Sequence, residues 1–166
     1  MSSPRIRKAI YWALIGAMLL TLAFIFSNSL RAPDESMEQS SAVGGFFAVI
    51  FPPDKPFGGF VQEYIRKIGH FAEYAVLGGE AAIFVMFYLQ SARIKLILSI
   101  PIGMCVAVVD ETLQYFSGRG PAISDLWIDF GGFLTGLGVG VGVAAFIAHI
   151  IKRHYIKSAE TEESYG

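Results

Sequence analysis

An all-α integral membrane protein, with four transmembrane helices in a small bundle, is the fold the sequence predicts. Three observations carry that reading. The 166 residues are 54% hydrophobic and only 16% charged, whereas a soluble domain carries nearer a quarter of charged residues. Mean hydropathy is +0.52. The apolar residues also come in long blocks, each close to the roughly 20 residues that cross a bilayer as a helix.

The spans are expected at about residues 9–27, 69–89, 96–116 and 125–151, within a single domain covering 1–151. Arg5, Arg7 and Lys8 precede the first block. That block is long for a signal peptide and no small-x-small cleavage site directly follows it, so it reads as an uncleaved helix. Residues 27–67 form the longest polar segment. Inside it, the apolar piece before Pro52, Pro53 and Pro56 is too short to span, and the prolines break any helix there. From Phe57 to Ile68 the apolar residues recur at helical spacing. This predicts a helix leading into the second span that either lies in the membrane interface or packs against the protein itself. A short loop over 90–95 and a turn over 117–124 join the remaining spans. Residues 152–166 read as a polar, disordered cytoplasmic tail. Cys105 is the single cysteine. It excludes an intramolecular disulfide and is expected to be a small buried side chain.

Lys and Arg in the flanks predict orientation. Eight of the thirteen lie in the N-terminal flank, the 90–95 loop and the C-terminal flank. Four spans place these on one side, read as cytoplasmic, with both termini inside. The first loop and the 117–124 turn then face outward. Gly132, Gly136 and Gly140 lie four apart on one helix face. They predict a close helix contact within the bundle, or, as the alternative, a homo-oligomer contact.

Chemistry concentrates at the outer end. His70, Glu73 and Tyr74 share a face in the first turns of the second span. Asp110, Glu111 and Gln114 fall in the last turns of the third, Glu111 about 7–8 Å in from Phe116 at 1.5 Å per residue. Asp125 and Asp129 open the fourth. Three separate segments thus bring polar groups to one depth. A carboxylate or cation in mid-membrane costs roughly 2.5–3.5 kcal/mol on insertion scales, so such groups need partners. Glu73, Asp110, Glu111, Asp125 and Asp129 outnumber the cations Arg66, Lys67 and Arg119 by two. Protonated carboxyls, a protonated His70, a divalent metal or a cationic ligand group could offset that surplus. Glu80 lies deeper and reads as a structural hydrogen-bonding group.

The motifs K-I-G-H-F-A-E-Y at 67–74, D-E-T-L-Q at 110–114, G-R at 118–119 and D-x-x-x-D-x-x-G at 125–132 resemble the signature of the VanZ-like family. F-S-N-S at 26–29 resembles the end of that family's first helix. The resemblance covers about residues 10–150. It implies a small multi-pass protein of the bacterial cytoplasmic membrane, in a family linked with susceptibility to teicoplanin-type glycopeptides. It singles out Lys67, His70, Glu73, Tyr74, Asp110, Glu111, Gln114, Arg119 and Asp125. Asp129 departs from it, standing where the family commonly has Asn.

Two functions are expected to compete. In the first, Lys67 and Arg119 grip a phosphate or carboxylate of a membrane lipid or lipid-linked cell-wall precursor, with Tyr74, Asp110, Gln114, Asp125 and Asp129 completing the binding site. In the second, the protein is an intramembrane enzyme acting on a lipid-linked phosphate or headgroup. His70 would be base or nucleophile, oriented by Glu73 or Glu111. Arg119 would stabilise developing charge, and Glu111, Asp125 and Asp129 would be candidate ligands of a divalent metal. No H-E-x-x-H, G-x-S-x-G or P-loop motif is present. A polar network that only fixes helix register is the bland alternative. Four short spans leave little room for a transporter's second gate, and nothing supports nucleic-acid binding.

Overall fold

In a computed structural model of the chain, residues 4–50, 52, 54–89, 91–118 and 122–164 are described. They form five helices: α1 (Pro4–Ser29), α2 (Pro33–Ile50), α3 (Pro56–Tyr88), α4 (Ala92–Phe116) and α5 (Ile123–Ser164). Four are long and apolar enough to cross a membrane, over Pro4–Ser29, Tyr64–Tyr88, Ala92–Phe116 and Ile123–Arg153.

The first loop and the tail differ from the sequence reading. The loop carries a further helix, α2, that the sequence reading did not give, while residues 57–68 are helical and lead into the second span as the opening turns of α3. A proline at the first position favours a helical start, and Asp34 suits the N-terminal end, where free N–H groups favour negative charge. Pro56 then starts α3, preceded by Lys55 in an extended conformation. Nothing interrupts the helix between Pro56 and the apolar span. The tail was expected to be disordered, yet α5 continues through Ser164. Residues such as Lys157, Ala159, Glu160 and Glu163 are good helix formers, which favours continuation.

The spans alternate in direction. Thr21 and Asn28 of α1 meet Glu80 and Glu73 of α3, and the Tyr88 hydroxyl donates to the Arg7 carbonyl at 3.4 Å. Hence α1 runs opposite to α3. In contrast, α3 and α5 run parallel and are the most closely packed pair. Their spacing follows from glycine. A Cβ on Gly132 would collide with the Phe71 carbonyl, one on Gly136 with that of Ala75, and one on Gly78 with that of Phe133. The 132/136/140 stripe therefore serves contact within the bundle. Gly103 of α4 likewise makes room for the Phe133 ring.

The core is Ile25, Tyr74, Leu77, Ala81, Ala82, Ala107, Phe133 and Leu137. Leu20, Ile97, Ile102, Val139 and Phe146 are exposed, as suits helix faces turned to lipid. Cys105 is exposed too, correcting the expectation of burial. In a four-helix membrane bundle an apolar side chain need not point inward, because lipid solvates it equally well. Aromatic residues gather at both ends: Tyr11, Phe84 and Tyr88 at one, Tyr115, Phe116, Trp127 and Phe130 at the other. Such rings favour the two membrane interfaces.

Candidate functional site

The alternation of direction brings the end of α1, residues 66–74 of α3, the end of α4 and the start of α5 together. Gly118 makes the last junction. Its φ of +81° is left-handed, a conformation that costs glycine little and lets the chain leave α4. The Ser117 N–H donates to Leu113 at 3.0 Å and that of Gly118 to Tyr115 at 3.2 Å.

Asp110 lies at the centre and is fully buried. Its Oδ1 accepts from the Ser29 hydroxyl at 2.5 Å, and its Oδ2 accepts from the Gln114 amide at 3.2 Å. Gln114 also donates to Glu111 Oε1 at 3.3 Å and accepts from Arg66 at 3.4 Å. The other Glu111 oxygen accepts the Ala122 N–H at 3.0 Å, tying α4 to the entry of α5. Glu73 accepts from Asn28 at 2.9 Å. The Ser117 hydroxyl donates to the Ser29 carbonyl at 2.9 Å. Every one of these bonds except those within α4 joins different parts of the chain.

His70 Nδ1 stands 3.6 Å from Asp129 Oδ1 and 3.9 Å from Asp110 Oδ2. Asp129 is fully buried, and neither of its oxygens has a hydrogen-bond partner among the described residues. The hydroxyl of buried Tyr74 is in the same position. At the rim, Lys67 Nζ lies 3.7 Å from Asp125, its side chain 43% exposed. Asp125 also accepts from Ser124 at 3.0 Å and stands in the first turn of α5, where the helix dipole favours an anion.

The expected assembly of polar groups at one level is therefore present for Lys67, His70, Glu73, Tyr74, Asp110, Glu111, Gln114, Asp125 and Asp129. Arg119 lies outside the described residues. Glu80 stands apart and accepts from Thr21 at 3.2 Å, the structural bond expected of it. The metal candidates do not gather as a set. Glu111 and Asp125 turn to Ala122 and Lys67, while Asp129 faces His70. Among the described residues, the His, Cys, Asp and Glu side chains whose donor atoms all lie within 4.8 Å are His70, Asp110 and Asp129.

Sequence reasoning gave no role to α1, although Asn28 and Ser29 bond two of the buried acids. The signal was the polar S-N-S ending an apolar span at the level of the other polar groups. Arg66 entered only the charge count, yet it bonds Gln114.

Four apolar helices closed around a buried polar cluster at one end define a multi-pass helical membrane protein with an intramembrane polar site. The chain belongs to the VanZ/LLP1 family, whose model matches residues 12–147. That match contains every helix segment that contributes to the cluster. No curated protein and no solved structure matches the chain.

Proposed function

We propose that this VanZ-family protein binds a lipid or cell-wall-related ligand at the outer face of the bacterial cytoplasmic membrane and so modulates susceptibility to teicoplanin-type glycopeptides. One observation carries the reading: polar side chains from all four spans converge at one end, with Arg66 and Lys67 at the rim and acids beneath. Gln114 and Asp125 hold the two cations in position. A phosphate or carboxylate of the ligand would sit against them, Arg66 offering a planar two-pronged donor. Lipid tails would lie along the exposed apolar faces. The outward assignment follows from the excess of Lys and Arg at the opposite end.

A second reading is turnover of a lipid-linked phosphate or headgroup. It is favoured by His70, whose Nδ1 faces two carboxylates; such an arrangement orients the ring and leaves Nε2 to act as a base.

Binding is tested with the protein in nanodiscs, titrated with a polyprenyl phosphate and, separately, with a neutral diacylglycerol. Saturable binding of the phosphate, weakened by Arg66→Ala and Lys67→Ala together, is expected. Equal binding of the two lipids, or no effect of the paired substitution, would refute the rim's role. Product formation during the same incubation, lost in His70→Ala, would favour turnover. A membrane-impermeant maleimide should label Gly118→Cys, in a Cys105→Ser background, on intact cells. Labelling only after permeabilisation would reverse the orientation.

A further inference from the structure

We infer that His70, Asp110 and Asp129 form the binding site of one divalent transition-metal ion of the Zn²⁺ or Mn²⁺ class, below the cationic rim. Three helices supply one donor each, and the donor atoms lie within 4.8 Å of one another. Metal bonds of about 2.1 Å place tetrahedral donors roughly 3.4 Å apart. The His70–Asp129 distance of 3.6 Å and the His70–Asp110 distance of 3.9 Å need only rotamer adjustment to reach that spacing.

An independent feature points the same way. Asp129 is fully buried with neither oxygen hydrogen-bonded among the described residues. Its one ion-pair neighbour among them is His70. A buried carboxylate left this way is strongly destabilising unless a charge or proton relieves it. Tyr74 is buried beside it with its hydroxyl also without a partner, so a fourth donor or a bound water has a place to bond. Asp110, by contrast, is already held as metal-binding carboxylates are: Ser29 and Gln114 donate to its two oxygens and fix its plane. One nitrogen and two carboxylate oxygens suit Zn²⁺ or Mn²⁺ and lack the thiolates that soft ions prefer. The glycine contact between α3 and α5 gives the site its rigidity, because Phe71 adjoins His70 and its contact Gly132 lies three residues from Asp129.

The test uses the full-length protein in detergent, stripped with chelator and reloaded with Zn²⁺ or Mn²⁺ alone. Metal content and titration calorimetry should give one ion per chain. Asp129→Asn and His70→Ala should abolish binding, Gln114→Ala should weaken it about 10- to 100-fold, and Glu80→Gln should leave it intact. X-ray absorption on the loaded wild type should show nitrogen and oxygen neighbours and no sulfur, a readout that needs no variant to fold. Failure of the wild type to bind either ion saturably, full binding by Asp129→Asn, or a sulfur neighbour would overturn the site. The inference does not depend on the rim's ligand: metal loading is read without lipid, and lipid binding can fail while it stands.

Discussion

The two halves of this bundle are built on different principles. At the polar end, four helices are joined by directional bonds, from Ser29 to Asp110, Asn28 to Glu73, Arg66 to Gln114 and Ala122 to Glu111. In the other half, α1, α3 and α4 meet mainly through apolar side chains, with the Thr21–Glu80 and Tyr88–Arg7 bonds between α1 and α3, and leave a cavity of about 370 Å³ among Met18, Leu22, Leu77, Phe84, Ile102 and Phe133. One contact runs through both halves, the glycine-lined face of α3 against α5. Lipid is as apolar as a leucine core, so apolar contact alone gives spans little reason to associate. Close backbone packing thus holds α3 to α5, while polar bonds, concentrated at one end, hold α1 and α4 to that pair. The groups that fix the fold are then also the groups that form the site.

Breaking the shared contact should have the largest effect. Gly136→Val would drive side-chain atoms into the Ala75 carbonyl. Overpacking of this kind costs about 1–3 kcal/mol or more, and backbone cannot yield as a flexible side chain does. A large fall in folded yield and in detergent melting temperature is expected. Gly138→Ala, with nothing within 4 Å of the added Cβ, should be neutral or slightly stabilising. Equal loss in both would remove the packing argument.

Asp110→Ala comes next. It leaves the Ser29 hydroxyl and the Gln114 amide without their acceptor, at about 1–3 kcal/mol for a stranded buried group. Unfolding measured in mixed micelles should show a lowered stability, with Asp110→Asn less affected because it keeps an acceptor oxygen. An unaltered Asp110→Ala protein would mean that the polar end does not hold α1 and α4.

The smallest effect should come from the apolar half. Val106 lines the cavity, where space already exists, so Val106→Ala should cost about 1 kcal/mol or less. A loss as large as that of Asp110→Ala would place the stability in the apolar half instead.

The sequence made the spans legible because hydropathy over about 20 residues is a strong signal. It made much of the site legible as well, since charged groups inside apolar blocks demand an explanation. His70, Asp110 and Asp129 were visible as polar groups of one depth. What could not be read was which carboxylate faces which partner. Glu111 and Asp110 are adjacent, yet one turns to Ala122 and the other to Ser29 and Gln114. That choice depends on helix rotation, which periodicity constrains only loosely. The part played by Asn28 and Ser29 was hidden for a related reason: small polar residues at a helix end usually satisfy only local backbone, as Ser27 does with Phe24. The helix α2 was obscured by glycine and serine, whose intrinsic helix propensity is modest.

The central claim is that the polar end, and not the bundle as a whole, carries the function. It is tested most directly by glycopeptide susceptibility in a bacterial host lacking this protein, complemented at matched membrane levels by the wild type, by the paired Arg66→Ala and Lys67→Ala variant, or by Val106→Ala. The wild type and Val106→Ala are expected to restore the susceptibility of the parent strain, while the paired rim variant should leave it as in the deleted strain. Full restoration by the paired rim variant would contradict the account.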